Sequence, residues 1–259
     1  MKRIFILLAA LAAGMASMPA SAADIGIVFL HPKWGLSGPK SPVGPLIQAL
    51  GNAGFLVDAP EMPWSRNRAY DRDVDGALAE VDAAVKRLKD KGAKRIVVGG
   101  QSMGANVALA YAARRDGLAG VMAIAPGHTP EQEGFRKALT ADYERARKML
   151  ADGKGDVKDN FMDSNQGRTE KKPASARAYV SWLDPNGAAV IPKNTAMLKP
   201  GVPLLWVVGD DDPMSKRGQG YAYAKAPAHP KNAYTTVKGG HVDTSRIASG
   251  EIIAWLKGL

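Results

Sequence analysis

The sequence contains no cysteine, which excludes a disulfide framework, a thiolate nucleophile and a cysteine-held metal or cluster. Histidine is scarce as well, with four in the chain. None stands at ligand spacing beside the carboxylate run at 210–212, so no metal or cofactor is expected. Beyond residues 4–13 no apolar stretch approaches the ~20 residues that a membrane-spanning helix needs. Arginine-rich runs interleaved with aromatics are missing, which argues against nucleic acid as a partner. Internal repeats and low-complexity segments are missing too. Acidic residues are the minority charge, 25 against 35 Lys and Arg, for a formal net charge of +10. Such an excess favours anionic surroundings such as lipid headgroups or cell-wall polymers. A solvated basic face accounts for the same charge without any partner.

What is present starts with a targeting pattern. Lys2 and Arg3 precede the apolar run at 4–13, and Ala20, Ser21 and Ala22 supply small residues at cleavage spacing. This predicts a signal peptide over residues 1–22, cut between Ala22 and Ala23, and a periplasmic or secreted bacterial protein. Without Lys2 and Arg3 the formal charge of +10 falls to +8. Residues 23–259 suffice for a single domain with a sizeable core.

That domain alternates apolar strands with amphipathic helices. Residues 25–30 form an apolar run that ends in His31-Pro32-Lys33-Trp34-Gly35. Val43, Leu46, Ile47 and Leu50 then space as one helical face, and residues 55–57 as the next strand. Val74, Leu78, Val81, Val85 and Leu88 follow a second helical stripe, stopped by Gly92. Further strands are predicted at 96–98, 121–125, 202–208 and 234–237, and a closing helix carries Ile252, Trp255 and Leu256. Strands and helices in alternation imply an α/β fold, with a mostly parallel sheet of about six strands and helices on both faces. Residues 129–200 interrupt the pattern. Phe135, Leu139, Tyr143, Ala146 and Leu150 predict one amphipathic helix there, and polar, glycine-containing sequence follows from 152 to 172. The segment is expected to be an insertion on the carboxyl side of a strand, where open α/β sheets hold ligands, and so a lid or cap, with a surface excursion that never touches substrate as the alternative.

The most informative stretch is Gly99-Gly100-Gln101-Ser102-Met103-Gly104, set between the strand at 96–98 and a small-residue helix. It holds the pattern G-x-S-x-G as Gly100, Ser102 and Gly104. A serine lifted off a sheet on a tight turn needs glycines two residues to either side, where larger side chains would collide. An ordinary capping serine at a glycine-rich turn would share the pattern.

A lone serine hydroxyl is a weak nucleophile and needs a neighbouring base. Imidazole serves near neutral pH, and a carboxylate can fix its tautomer. Three acids, Asp210, Asp211 and Asp212, follow the strand at 202–208, and His241 follows the strand at 234–237. All lie at, or just beyond, the carboxyl ends of predicted strands, so one sheet edge can gather them. On the elbow GGQSMG, the strand-end acid in GDDDP and the histidine in KGGH, the chain resembles the α/β-hydrolase superfamily over essentially all of residues 23–259. The resemblance implies a nucleophile Ser102, a base His241 and, from the G-x-x-D-P arrangement, Asp212 as the acid. It also implies one helix and one strand between acid and histidine. An oxyanion hole is implied from two backbone N–H groups, that of Met103 and one in the loop after the first strand. Where many members carry His-Gly, this chain has His31-Pro32, which points to Lys33 as the second donor with Trp34 as its alternative. The implied activity is that of a serine hydrolase acting on a carboxylic ester or related acyl bond of a small-molecule substrate. A catalytically idle envelope-binding protein and an acyltransferase are the alternatives.

Overall fold

The computed structural model describes residues 22–38 and 40–259. The expected signal peptide lies outside these residues except for Ala22, at their edge. Strand β1 (Ile25–Leu30) leads through α1 (Gly44–Asn52), β2 (Leu56–Asp58) and α2 (Val74–Asp90) to β3 (Arg95–Gln101). Helix α3 (Met103–Ala112) and β4 (Leu118–Ile124) follow. Next come α4 (Glu133–Arg136), α5 (Thr140–Ala151), β5 (Lys158–Asn165), β6 (Arg168–Ser175), α6 (Ala176–Leu183) and α7 (Ile191–Ala196). The chain closes with β7 (Leu204–Gly209), β8 (Ala233–Val237), α8 (Thr244–Ile247) and α9 (Ser249–Lys257).

Six strands pair in the order β2-β1-β3-β4-β7-β8, every pair parallel. The central strands are apolar almost throughout because both of their faces are covered. Their residues nonetheless sort by alternation. Ile25, Ile27, Phe29, Val97, Met122, Leu205 and Val207 face a core shared with Leu46, Leu50, Ile252 and Leu256 of α1 and α9. Val28, Leu30, Val98, Val121, Leu204 and Trp206 face the other core, with Val74, Leu78, Val81 and Leu88 of α2 and most of α3. The strand order reverses between β1 and β3, and their carboxyl ends therefore flank the crevice in which open α/β sheets bind ligands. His31 and Ser102 follow those two ends. Among the described residues no helix is long and apolar enough to cross a membrane.

Two stretches depart from expectation. The helix predicted through Phe135 and Leu150 is split into α4 and α5. The polar sequence that follows it is an antiparallel hairpin, with Lys158 opposite Ser175 and Asn165 opposite Arg168. Its two-residue turn, Gln166 and Gly167, has φ of 49° and 78°, the double positive φ that suits the twist of a tight hairpin. Between Asp212 and His241 the resemblance implies an α-helix before the strand. Three 3₁₀ turns stand there instead, Ser215–Arg217, Gln219–Tyr221 and Tyr223–Lys225. Gly218 and Gly220 fall among them, and glycine disfavours a continuous helix.

Candidate active site

Ser102 sits between β3 and α3 with φ 57° and ψ −119°. Such a conformation costs a side-chain-bearing residue on the order of 1–3 kcal/mol and persists only where its surroundings enforce it. The two glycines make room for it. A Cβ on Gly100 would lie 2.5 Å from the Gly104 carbonyl carbon and 2.6 Å from Leu30 O, and one on Gly104 would lie 2.6 Å from the Leu30 carbonyl carbon. Ser102 is formally the N-cap of α3, yet its side chain caps no amide. Its Oγ lies instead 2.9 Å from His241 Nε2.

His241 Nδ1 is 2.7 Å from Asp212 Oδ2. A carboxylate only accepts, so this contact assigns the imidazole proton to Nδ1 and leaves the Nε2 lone pair facing the serine hydroxyl. Asp212 is buried, and its second oxygen accepts from the Met214 amide at 2.8 Å. Its two neighbours are directed elsewhere. Asp210 accepts from the Gly239 amide at 2.9 Å and pairs with Lys238 at 3.0 Å, which supports the turn that carries the histidine. Asp211 is exposed. Of the three carboxylates only Asp212 reaches the imidazole. Gln101, an unremarked position in the G-x-S-x-G pattern, donates through Nε2 to His241 O at 2.7 Å and Val242 O at 3.1 Å. It ties the histidine turn to the serine elbow.

The backbone donors separate as clearly. The Trp34 amide is engaged by Trp64 O at 3.0 Å. Among the described residues neither the Lys33 nor the Met103 amide has an acceptor, although both residues are buried. Buried N–H groups without a partner are rare, and these two donors are available to an oxygen acceptor. His31 holds the path of this loop. Its Nδ1 donates to Pro32 O at 2.8 Å, Nε2 accepts from the Met62 amide at 3.0 Å, and its carbonyl accepts from Trp64 Nε1 at 2.9 Å. Burial pulls its pKa below the ordinary histidine value, in keeping with a neutral ring that uses both nitrogens.

The Lys33 side chain carries a feature that its sequence position does not announce. Its Nζ donates to Asp163 Oδ1 at 2.7 Å and to Ser164 O at 2.8 Å, both in the hairpin. Asp163 also accepts from Tyr70 OH at 2.6 Å, Trp34 Nε1 at 2.9 Å and its neighbour's amide, Ser164 N, at 2.8 Å. Burial by itself would push this carboxyl up, but Lys33 and the Tyr70 hydroxyl hold it below the usual carboxylate range. Burial draws the Lys33 ammonium down against the pull of Asp163. His128 lies beside this network, and its Nε2 is 2.7 Å from Trp182 O, so Nε2 carries the proton. Burial, helped by the nearby Lys33 charge, lowers its pKa to about 3. The ring is therefore neutral.

Ser102, Asp212 and His241 open onto a cleft of about 540 Å³ that Lys33, Phe135 and Met214 also line. The hairpin turn, with Asn165 and Gln166, forms one of its edges. Among the described residues no group of three or more His, Asp or Glu side chains is placed to hold a metal ion.

The family model described as the alpha/beta hydrolase family matches residues 27–246, and the chain belongs to that family. Solved structures with the same fold include a monoacylglycerol lipase of Paleococcus ferrophilus, 20% identical over 90% of this chain and 94% of that one, with a TM-score of 0.63. A hydrolase of Agrobacterium vitis S4, described as putative, is 19% identical over 92% and 90% of the two chains, with a TM-score of 0.62. A thermostable carboxyl esterase of Bacillus coagulans is 16% identical over 90% and 89%, also with a TM-score of 0.62. No curated protein matches the chain.

Proposed function

We propose that this member of the family is an exported serine hydrolase that cleaves carboxylic esters through an acyl-enzyme. One observation carries the proposal: the uncapped Ser102 hydroxyl stands 2.9 Å from an imidazole whose other nitrogen is 2.7 Å from a buried carboxylate. Ser102 Oγ attacks the acyl carbon while His241 Nε2 takes its proton, and Asp212 stabilises the resulting imidazolium. The carbonyl oxygen, now an oxyanion, accepts from the Met103 and Lys33 amides. As the bond to the leaving oxygen breaks, His241 returns the proton to it and the alcohol departs. Water then adds to the acyl-enzyme with its proton taken by His241, and the carboxylic acid and the free serine are regenerated. The Trp34 amide is not assigned a part, because Trp64 O already occupies it. The hairpin at 158–175 borders this site, its turn forming one wall of the cleft.

Ester chemistry is supported by the lipase and the carboxyl esterase that share the fold. A fluorophosphonate probe tests the proposal directly. The wild-type protein is expected to be labelled and Ser102→Ala to stay unlabelled. Equal labelling of the two, or none of the wild type, overturns it.

A further inference from the structure

The hairpin turn does not close over the site; it divides the space above it. On the Ser102 side lies the cleft already described. On the far side lies a second cleft of about 560 Å³, and Lys33, Asn165, Gln166 and His241 line both. The two halves differ in chemistry. The second is walled by Trp34, Leu36 and Val242, and three cations, Lys40, Arg66 and Arg168, stand around it. No aspartate or glutamate lines it. Elsewhere basic side chains pair with acids, as Lys33 does with Asp163 and Arg68 with Glu80. Among the described residues, none of these three makes an ion pair or a side-chain hydrogen bond. They come from three separated parts of the chain: the loop after β1, the loop after β2 and the first residue of β6.

Position relative to the triad says which part of a substrate they meet. Ser102 and Asp212 line only the first cleft, whereas His241 lines both. The acyl carbon is fixed on Ser102 Oγ, so the acyl portion extends into the first cleft. The leaving oxygen must meet His241 Nε2 to receive its proton, so the departing portion can continue past the histidine into the second cleft. Granted the acyl-enzyme chemistry proposed above, we infer that the second cleft is a leaving-group subsite for an anion. The favoured substrates are esters whose released alcohol carries a carboxylate or a phosphate-like group, which Lys40, Arg66 and Arg168 bind. The exposed Leu36 and Val242 and the Trp34 ring meet its carbon skeleton.

Matched acetyl esters of para-substituted phenols provide the test. The para substituent is carboxymethyl, phosphonomethyl or, as the neutral control, carboxamidomethyl, so the reacting bond stays alike. The quantity read is the ratio of kcat/KM for each anionic ester to that for the neutral one. Three exposed charges together support a preference of about tenfold at low ionic strength, falling as salt is added. Which of the two anionic esters gains more separates a carboxylate from a phosphate source. In K40Q/R66Q/R168Q the ratio is expected to fall to about one, and because it is taken within each protein, partial unfolding leaves it unaffected. A hemisuccinate ester of a neutral phenol, with the anion on the acyl side, should show no such preference.

A wild-type ratio near one, a ratio unchanged in the triple variant, or an equal preference for the hemisuccinate overturns the assignment. Should the wild type hydrolyse none of these esters, the serine-hydrolase proposal fails separately. Calorimetric titration with 4-hydroxyphenylacetate, which needs no turnover, then decides whether the cleft binds an anion. Binding that is lost in the triple variant supports the subsite, and no binding to the wild type refutes it.

Discussion

Asp163→Asn should be among the most damaging single conservative changes in this chain, and Lys33→Met should be clearly milder. The asymmetry follows from what each removal leaves behind. Without the lysine, the carboxylate still accepts from Tyr70 OH, Trp34 Nε1 and the Ser164 amide. Without the carboxylate charge, the buried ammonium keeps one full acceptor, Ser164 O. The asparagine amide must also turn its NH₂ either toward that ammonium or toward the Trp34 and Tyr70 donors. Removing one partner of a buried pair typically costs about 3–5 kcal/mol, and Asp163→Asn belongs in that range. For Lys33→Met about 1–3 kcal/mol is expected, the cost of changing a buried acceptor's partners while most of its bonds survive. In a domain of this size each kcal/mol moves the melting temperature by roughly 2–4 °C, so Asp163→Asn should lower Tm by about 6–20 °C. The double variant should cost less than the sum of the two singles, since the second change removes the charge that the first stranded. Thermal unfolding of the four proteins at one neutral pH completes the cycle. Equal costs for the two single variants, or strict additivity in the double, would refute the reasoning.

Three further outcomes are expected. Asp212→Asn should reduce kcat on a short-chain aryl ester by about 10⁴-fold, as loss of the tautomer-fixing acid does in other triads, with a near-normal melting curve. Asp210→Asn, facing the Gly239 amide rather than the imidazole, should keep most of the turnover; the opposite ranking would move the acid to Asp210. Gly104→Ala forces a Cβ against the Leu30 carbonyl and should destabilise by at least about 1–3 kcal/mol, measured by chemical denaturation, with slower probe labelling of Ser102. Acid should weaken the fold through His128, whose pKa is about 3 when folded and near 6.5 when unfolded. The unfolded chain binds the extra proton, so this contribution is fully present above about pH 6.5 and is lost as pH falls toward about 3, reaching roughly 2 kcal/mol by pH 5. His128→Gln should flatten Tm against pH over that window, and an unchanged slope would remove His128 from the account.

The sheet was legible in the sequence because its strands are buried on both faces and therefore read as unbroken apolar runs, as at Ile25–Leu30. The serine elbow was legible because its steric demands are local, met by Gly100 and Gly104 within four residues of each other. The hairpin was not. Of the sixteen residues in its two strands only Phe161, Asp163 and Ala174 are buried, so neither alternation nor hydrophobicity marks them. Asp163 is the candidate-site residue that sequence reasoning missed most completely. Its partners Lys33 and Tyr70 lie 130 and 93 residues away along the chain, and no local spacing encodes such a contact. Gln101 had a weaker excuse, standing inside the motif itself, but its amide acts on the backbone of a turn 140 residues further on. Of the acids at 210–212, sequence pattern favours the third; only the fold shows that the first is occupied in bracing the histidine turn.

The way Asp163 is anchored bears on how a substrate arrives. A swinging cover over a catalytic floor needs few bonds at the moving end, so that opening costs little. Here the moving end would be the hairpin, and it is pinned to the floor by a buried carboxylate that takes protons from an ammonium, a phenol and an indole at once. Lifting it would break the Lys33–Asp163 ion pair together with the Tyr70 and Trp34 hydrogen bonds. Such anchoring predicts a fixed beam rather than a door, with a cleft on either side of it. Under the subsite assignment proposed above, a substrate would straddle this span, with one end in each channel and the scissile bond beneath, and its binding would demand no ordering of the hairpin.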